Sequence, residues 1–566
     1  MKKKNLFIKL FAVLTAMMCA LGIQAAEAYA CYTPSDSTLA FYYDSLRSSR
    51  TGTTYDLNTG DNNPDWVTDG INASVNKVVF NSSFADARPT TTYHWFYYNG
   101  LLKTIEGLEY LNTTGVTNMS GMFYGCKALT NLDVSGFNTA NVTSFANMFY
   151  GCRVLSTLDV SDFITGNATN MSGMFQDCKA LTSLDVSGFN TANVTNFGNM
   201  FCYCNNLTSL DVSGFNTDKA TYMSSMFYFC SSLTSLDVSH FNTSKLTSFK
   251  EMFTGCESLT SLDVSNFNTD LATDFYGLFS SCKSLTTLDL SNFNTQNVTL
   301  YSRMFLNCES LTSIDLSNFD TKKAYSLAEM FYGCSSLTTL DLSNFNTDNA
   351  VTMTQIFRGC TNLKSVNLSS FNTSKMFSMQ GVFQYCSSLT SLDLSNFNTD
   401  NVTSLCTMFT GCSSLTTLDL STFNTSKVTD TRWMFDDCSA LATIYVGDGW
   451  NTESVTSSGS MFYGCTNLVG GQGTVYDSNH TDVAYAHIDG GMSNPGYLTD
   501  KNASQRGDVN GDGSANISDV TTLIDYLLSG NASGINVSAA DCNQDSSINI
   551  SDVTALIDYL LSGTWN

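Results

Sequence analysis

The chain has 566 residues, with 50 acidic against 26 basic side chains and a formal charge of −24. Such a balance excludes a bare nucleic-acid duplex or an anionic membrane surface as an electrostatic partner. By length alone about three or four compact domains are expected, but an internal repeat overrides that prior.

The first thirty residues carry lysines, then an apolar run, then small residues at Ala26, Ala28 and Ala30. They read as a secretory signal peptide (1–28), cut between Ala25 and Ala30. Neither Cys19 nor Cys31 sits in a good lipoprotein cleavage box, and no later stretch is long and apolar enough to span a membrane. An exported, soluble protein without a transmembrane segment is expected.

Residues 31–118 match the repeat only loosely and read as an N-terminal cap over an otherwise open apolar edge. Within them, Trp95, Phe96 and Tyr97 suit cap packing or sugar stacking, packing being the simpler use.

The repeat fills 119–469. Cysteines recur every 26 residues from Cys126 to Cys438, and again at Cys465 after one inserted residue. Counted from each Cys, Leu recurs at +3 and +6, Val or Leu at +8, Phe at +11, Thr at +13, and Met-Phe or a variant at +22 and +23. Self-similarity at this period signals a solenoid whose units bury their apolar faces only by stacking. In LTSLDVSGF apolar and polar residues alternate, which predicts a short strand. In VTSFANMFYGC apolar residues lie three and four apart, which predicts a helical turn. Strand, corner, short helix and return make an α/β leucine-rich-repeat solenoid of about 14 units of 26 residues. Its parallel strand ladder, about 4.8 Å per turn, would run on the order of 60 Å.

Equivalent positions stack, so each recurring residue predicts a column. The repeat cysteines form an inward column, read as buried thiols rather than disulfides. The Phe residues at +11 read as a stacked aromatic spine, and Asn at +12 with Thr at +13 as satisfying backbone groups at the corner. At +7 stands a column of carboxylates, among them Asp185, Asp211, Asp237, Asp263, Asp289, Asp315 and Asp341. Like charges that close raise each other's pKa unless donors intervene, and the Ser at +9 is such a donor. Three readings stand: a hydrogen-bonded Asp/Ser ladder, a polar face for a repetitive glycan, or a catalytic carboxylate pair. Sameness of surroundings argues against the last, because catalysis needs two carboxylates in unlike environments. Variable residues at +14, +15 and +24 mark the edges as the better place for a unique protein epitope. Four scattered histidines, His94, His240, His480 and His487, make no metal or nucleophile constellation.

A Gly-rich stretch closes the array (470–500). Residues 501–566 then hold the sharpest motif. Asp508, Asn510, Asp512, Ser514 (through its carbonyl), Asn516 and Asp519 place oxygens at positions 1, 3, 5, 7, 9 and 12 of a calcium-binding loop. The pattern recurs 33 residues on as Asp541, Asn543, Asp545, Ser547, Asn549 and Asp552, with Ser546 where the sharp turn prefers Gly. Each loop feeds an amphipathic helix ending at Gly530 or Gly563.

Over about 120–500, the recurring phrase M-F-x-x-C-x-x-L-x-x-L-D-L-S-x-F-N-T resembles the bacterial surface leucine-rich-repeat proteins of BspA type. That resemblance implies a cell-surface location and attachment to host matrix, other cells or polymers. Residues 506–563, with two ISDVT[TA]LIDYLLSG units, resemble a type I dockerin. This second resemblance implies a small all-α module holding two Ca2+ and binding a cohesin on a scaffold or cell surface. By position the recognition pairs are Ile517-Ser518 and Ile550-Ser551. Together they imply a secreted, surface-associated, non-catalytic binding or adhesion protein docked in a cellulosome-like assembly. The solenoid's own ligand would be a glycan or a host or cell-surface protein. The alternative is a dockerin-borne glycoside hydrolase.

Overall fold

A computed structural model describes residues 25–501, 506–512, 514–563 and 565. All but the last residues of the expected signal peptide lie outside these. The N-terminal sheet is built from β1 (Glu27–Thr33), β2 (Thr38–Asp44), β3 (Thr53–Asp56), β4 (Lys77–Phe80) and β5 (Thr104–Glu106), in the order β3-β1-β2-β4-β5. β1 pairs antiparallel with β2 and β3, whereas β2, β4 and β5 run parallel. The cap thus starts as a hairpin and turns into the parallel arrangement that the repeats continue. A single helical turn, α1 (Asp65–Thr68), brings Trp66 beneath it. Trp66, Trp95, Phe96 and Phe41 are fully buried, and the two indoles are anchored by Trp66 Nε1 to the Trp95 carbonyl (2.8 Å) and Trp95 Nε1 to Asn58 Oδ1 (2.7 Å). Packing is therefore what Trp95 and Phe96 do.

In the repeats the segment expected to be a helical turn is not helical. Met119, Gly121, Phe123 and Gly125 send their N–H groups to the carbonyls of Ser144, Ala146, Met148 and Tyr150 in the next turn, at 2.6–3.0 Å. Between them, Met122, Tyr124 and Cys126 donate to carbonyls three residues back. Donors alternate between the turn's own backbone and its neighbour's, whereas an α-helix would spend every donor on itself. The alternation puts two residues per turn at positive φ: Gly121 (59°) and Gly125 (73°) here, Asn147 (55°) and Gly151 (72°) next, and elsewhere bulky residues such as Trp433 (54°) and Phe229 (54°). Nothing in a 3.6-residue apolar spacing distinguishes this stacked turn from a helix.

The strand ladder is also only partly realised. Named strands occur at β6 (Thr339–Asp341) with β7 (Ser365–Asn367), and at β8 (Thr417–Leu420), β9 (Thr443–Val446) and β10 (Leu498–Asp500), all parallel. Elsewhere the turns meet in single parallel bridges such as Asn118↔Ser144 and Ser144↔Asn170, the column opening at Thr91↔Asn118 inside the stretch read as cap. With or without a named strand, the Asp at +7 accepts from the amide of the Ser at +9, as Ser135 N to Asp133 Oδ1 and Ser343 N to Asp341 Oδ1, both at 3.0 Å.

Side chains supply what the backbone withholds. Buried Thr347 donates its hydroxyl to the Asn372 carbonyl (2.9 Å) and accepts from the Asn372 amide (2.7 Å), bridging two turns with one atom. The same reciprocal bridge is made by Thr139 to residue 164 and Thr217 to residue 242. The +13 threonines thus satisfy corner backbone as expected, and they do so across turns.

The core is columnar. At +11 the Phe side chains are buried, but the unbroken aromatic stack is the Phe at +23. It runs from Phe123–Phe149 (5.7 Å, 2° between planes) to Phe435–Phe462 (5.4 Å, 12°). Beside it each thiol of the column donates to the carbonyl of a Phe in the preceding turn, as Cys178 Sγ to Phe149 (3.1 Å) and Cys334 Sγ to Phe305 (3.0 Å). Every described cysteine is a free, buried thiol. Burial pushes the thiols of Cys256, Cys308, Cys360 and Cys412 up to about 12.

The C-terminal cap closes around Asp489. Its carboxylate, nearly buried, accepts from the amides of Gln472 (2.8 Å), Thr474 (3.0 Å) and Gly491 (2.9 Å) and from the Thr474 hydroxyl (2.7 Å). Gly470 is needed there, since a Cβ would lie 2.2 Å from the Gly496 carbonyl oxygen.

Two outcomes follow. Thr347→Val should cost about 1–2 kcal/mol in denaturant unfolding, because the amide and the carbonyl of Asn372 both lose their partner. Thr403→Val removes only an exposed hydroxyl bond and should stay within about 0.5 kcal/mol. The raised thiols are protonated in the folded protein over a range where the unfolded chain ionises. Stability is therefore fully present below the ordinary thiol value of 9.0 and lost as pH rises toward about 12. Alkaline melts should show that loss, and Cys256→Ala with Cys308→Ala should shallow it.

Candidate binding face and candidate metal centres

One face of the repeats is built from residues +5, +7 and +9, which point away from the core. The Leu residues at +6 seal its floor: Leu210, Leu236 and Leu262 are each only 7% exposed. The carboxylates Asp185, Asp211, Asp237, Asp263, Asp289, Asp315 and Asp341 are exposed along it, and no Lys or Arg occupies +5 to +9 in any repeat. Two shallow depressions of about 520 and 650 Å³ lie in this trough, one lined by Ser209, Asp211, Ser235 and Asp237, the other by Asp133, Asp159 and Asp185.

The column does not titrate as mutual repulsion alone would have it. For Asp185, Asp237 and Asp263 the hydroxyl of the Ser two residues on, then its amide, hold the carboxyl below the ordinary carboxylate range. For Asp289, Asp315 and Asp341 the amide leads and the hydroxyl follows. Neighbouring aspartates push the other way by less. Ser239 Oγ at 2.7 Å and Ser239 N at 3.0 Å from Asp237 Oδ1 show the geometry. The bonds to serine stay within one unit, so each Asp is first a local cap, and Asp341 is reached in addition by Asn367 of the next turn. At the C-terminal end the surroundings change: Lys501 Nζ lies 3.1 Å from Asp419 and sits over the Tyr445 ring.

The variable edge at +15 proves to be another tie between turns. Lys219, Lys323 and Lys375 donate to the Asn one turn back (2.6–2.9 Å), and Asn141 and Asn193 donate to backbone carbonyls. Of the histidines, His240 meets the Val212 carbonyl, and His480 lies 3.8 Å from Asp477.

The C-terminal module pairs α2 (Ile517–Ser529) and α4 (Ile550–Ser562), with the one-turn α3 (Val537–Ala540) between them. Its separate core contains Val509, Val520, Leu523, Cys542, Val553 and Leu556. Each loop ends in a capping box. Asn516 Oδ1 accepts from the Ser518 amide while Asp519 Oδ2 accepts from the Asn516 amide, both at 2.8 Å, and Asn549 and Asp552 repeat this. The chelating Asp at position 12 is thus fixed by the helix start it belongs to.

In the first loop, oxygens of Asp508, Asp512 and Asp519 all lie within 4.8 Å of one another, Asp508 and Asp519 being buried. Buried carboxylates gathered in an all-oxygen donor set fit a hard divalent cation. Asn510 and Ser514 belong to the same loop, where Asn510 Nδ2 donates to Ser518 Oγ (2.7 Å) and the Ser514 carbonyl accepts from Asn516 Nδ2 (2.9 Å). Asn516, expected as a ligand, serves as helix cap. In the second loop Asp552 is fully buried, Asp541 accepts from the amides of Asp545 and Ser546, Asn543 Oδ1 accepts from Asp545 N, and the Ser547 carbonyl accepts from Asn549. Ser546 sits at φ 68°, the left-handed turn that a Gly would take without cost.

The pairs Ile517-Ser518 and Ile550-Ser551 open the two helices. Ile517 and Ile550 are 72% and 70% exposed, and Leu528 and Leu561 are 82% and 83% exposed. The two copies thus expose apolar side chains at matched positions. Among the described residues no helix is long and apolar enough to cross a membrane.

Comparison with known proteins agrees with this division. The profile described as "Mycoplasma protein of unknown function, DUF285" matches residues 93–208, 177–287, 247–366 and 351–471. The type I dockerin domain profile matches 506–561. Among solved structures, a leucine-rich cell surface protein from Faecalibacterium prausnitzii A2-165 shares 17% identity, covering 75% of this chain and 94% of its own, with a TM-score of 0.31. A TLR13–ssRNA13 complex shares 16% identity over 66% of this chain and 50% of its own, with a TM-score of 0.20. No curated protein matches.

Replacing Ser546 with Gly should relieve about 1 kcal/mol of backbone strain and tighten calcium at the second loop roughly fivefold. Asp519→Ala and Asp552→Ala should each remove one calcium from the intact protein. Calorimetric titration reads both.

Proposed function

The chain belongs to the DUF285 family of BspA-like surface repeats and ends in a type I dockerin, and from that premise we propose a non-catalytic binding or adhesion subunit. It is exported and held at a cell surface by a cohesin-bearing, cellulosome-like scaffold. Calcium at both loops folds the dockerin, its charge offsetting the repulsion among Asp508, Asp512 and Asp519 and among Asp541, Asp545 and Asp552. Ile517-Ser518 or Ile550-Ser551 then meets the cohesin, and the near-identity of the copies allows either to do so.

The observation that carries the non-catalytic reading is the uniformity of the trough. Asp185 to Asp341 have the same serine partners, and each is held below the ordinary range. A general acid needs a carboxyl pushed up, beside one that is not. A face repeating every turn instead suits a ligand that also repeats, such as a polysaccharide or a surface polymer.

The second reading, a glycoside hydrolase, draws on one place outside the column. Burial and the charge of Asp437 raise the Asp436 carboxyl, three residues after the exposed Trp433. Incubation with xylan, pectin and cellulose separates the readings: no release of reducing sugar is expected. Hydrolysis lost in Asp436→Ala would establish the enzyme instead.

Docking is tested by calorimetry of the intact protein with cohesins from the same source. Binding should require calcium, survive Ile517→Asp or Ile550→Asp alone, and disappear in the double variant. Retention by the double variant would overturn the assigned contact pairs.

A further inference from the structure

We propose that the cleft where the N-terminal cap meets the first turns of the solenoid binds a short neutral glycan, through the Tyr93 ring and the amides of Asn118, Asn147 and Asn170. The cleft has a volume of about 570 Å³ and is lined by these residues together with Asp61, His94 and hydroxyls such as Ser120 and Ser144. That size lies within the ordinary range for small-ligand sites, about 300–1,000 Å³.

One wall is aromatic and rigid. The Tyr93 ring lies 3.8 Å from the imidazole of His94, which stacks in turn on Tyr97 at 3.9 Å. Tyr97 continues onto Tyr124 (4.7 Å) and Tyr124 onto Tyr150 (4.2 Å). His94 is locked by its Nδ1 at 2.7 Å from Asn63 Oδ1, and Gly121 leaves room for it, since a Cβ there would lie 2.4 Å from the ring. His94 covers one face of Tyr93, and the half-buried ring lines the cleft, where an aromatic side chain suits a flat apolar surface such as the C–H face of a pyranose.

The remaining walls are amide, hydroxyl and carboxylate. Asn118 donates to Asp61 and accepts from the Ser120 amide (2.8 Å), Ser120 Oγ meets Ser144 Oγ (2.7 Å), and Thr143 Oγ1 donates to the Thr117 carbonyl (3.1 Å). Groups fixed in this way are preorganised. Amides and a carboxylate side by side match sugar hydroxyls, each of which both donates and accepts. Charge decides against other ligands: no Lys or Arg lines the cleft, so an acidic glycan has no counter-ion there, and Asp61 alone is too little for a basic peptide. Asp61, Asn63, Tyr93 and His94 come from the cap, so the site is single and separate from the repeating trough.

The test uses the whole protein with calcium, titrated with cellotetraose, xylotetraose, laminaritetraose and mannotetraose. Tetragalacturonate and tetralysine serve as charged probes. One neutral tetrasaccharide should bind with one-to-one stoichiometry. Tyr93→Ala and Asn170→Ala should each weaken it by more than about tenfold, while Thr403→Val, at an exposed hydroxyl remote from the cleft, leaves it unchanged. Asn170→Ala covers the case in which loss of the Tyr93 ring disturbs the cap, which melting curves report. Failure of all four neutral probes to bind overturns the proposal. So does binding that neither cleft variant weakens, or preference for a charged probe.

Discussion

The structure depends on hydrogen bonds that run from one turn to the next rather than along a helix or within a strand. A solenoid with one donor and one acceptor per residue must split them between closing its own turn and holding its neighbour. Here the split is alternate: Phe123 and Gly125 give their amides to the following turn, and Tyr124 and Cys126 give theirs backward within the turn. The cost is two left-handed residues per turn, carried at some positions by Phe, Tyr or Trp. Such a conformation costs about 1–2 kcal/mol for a non-glycine residue and persists only because both neighbouring turns impose it. Every other column, thiol, phenyl or threonine, inherits its spacing from that ladder.

The same constraint explains why a protein rich in cysteine has no disulfides among its described residues. Each thiol of the column already has a carbonyl to donate to and is buried beside the phenyl stack. Deprotonation, the step that makes a cysteine reactive, is what burial opposes. Thiol chemistry is thereby suppressed by the fold, which leaves the outward positions as the only chemically variable part of the repeat.

Much of this was legible in the sequence, and the gaps have identifiable causes. Period and columns follow from spacing alone, because equivalent residues in stacked units must coincide, and spacing likewise marks Asp508, Asp512 and Asp519 as the carboxylates that converge. Local conformation did not follow. Apolar residues three and four apart in VTSFANMFYGC fit a helix and a stacked turn equally, and only inter-turn donors distinguish them. The aromatic spine was assigned to Phe137 and its equivalents, although the continuous stack is Phe123 to Phe462, since both columns recur with the same period. For the carboxylates, spacing named both the repelling neighbours and the Ser donor at +9, and the structure shows that the Ser decides the sign. The cleft beside Tyr93 left no trace in the sequence, because Asp61, Tyr93, Asn118 and Asn170 are brought together only by the junction of cap and solenoid.

The two ends of the molecule solve opposite problems with the same residue types. In the trough, aspartates are kept apart by the turn spacing and each is satisfied by its own serine, so the column needs no cation to be stable. In the dockerin loops, Asp508, Asp512 and Asp519 converge within 4.8 Å, and the Ser and Asn residues around them cap helices and turns instead of neutralising charge. Carboxylates that are exposed and singly capped remain available to hydroxyl-bearing ligands. Buried, convergent carboxylates fit a hard divalent cation. The spacing of carboxylates, set in one case by the stack and in the other by a twelve-residue loop, is what separates the two arrangements.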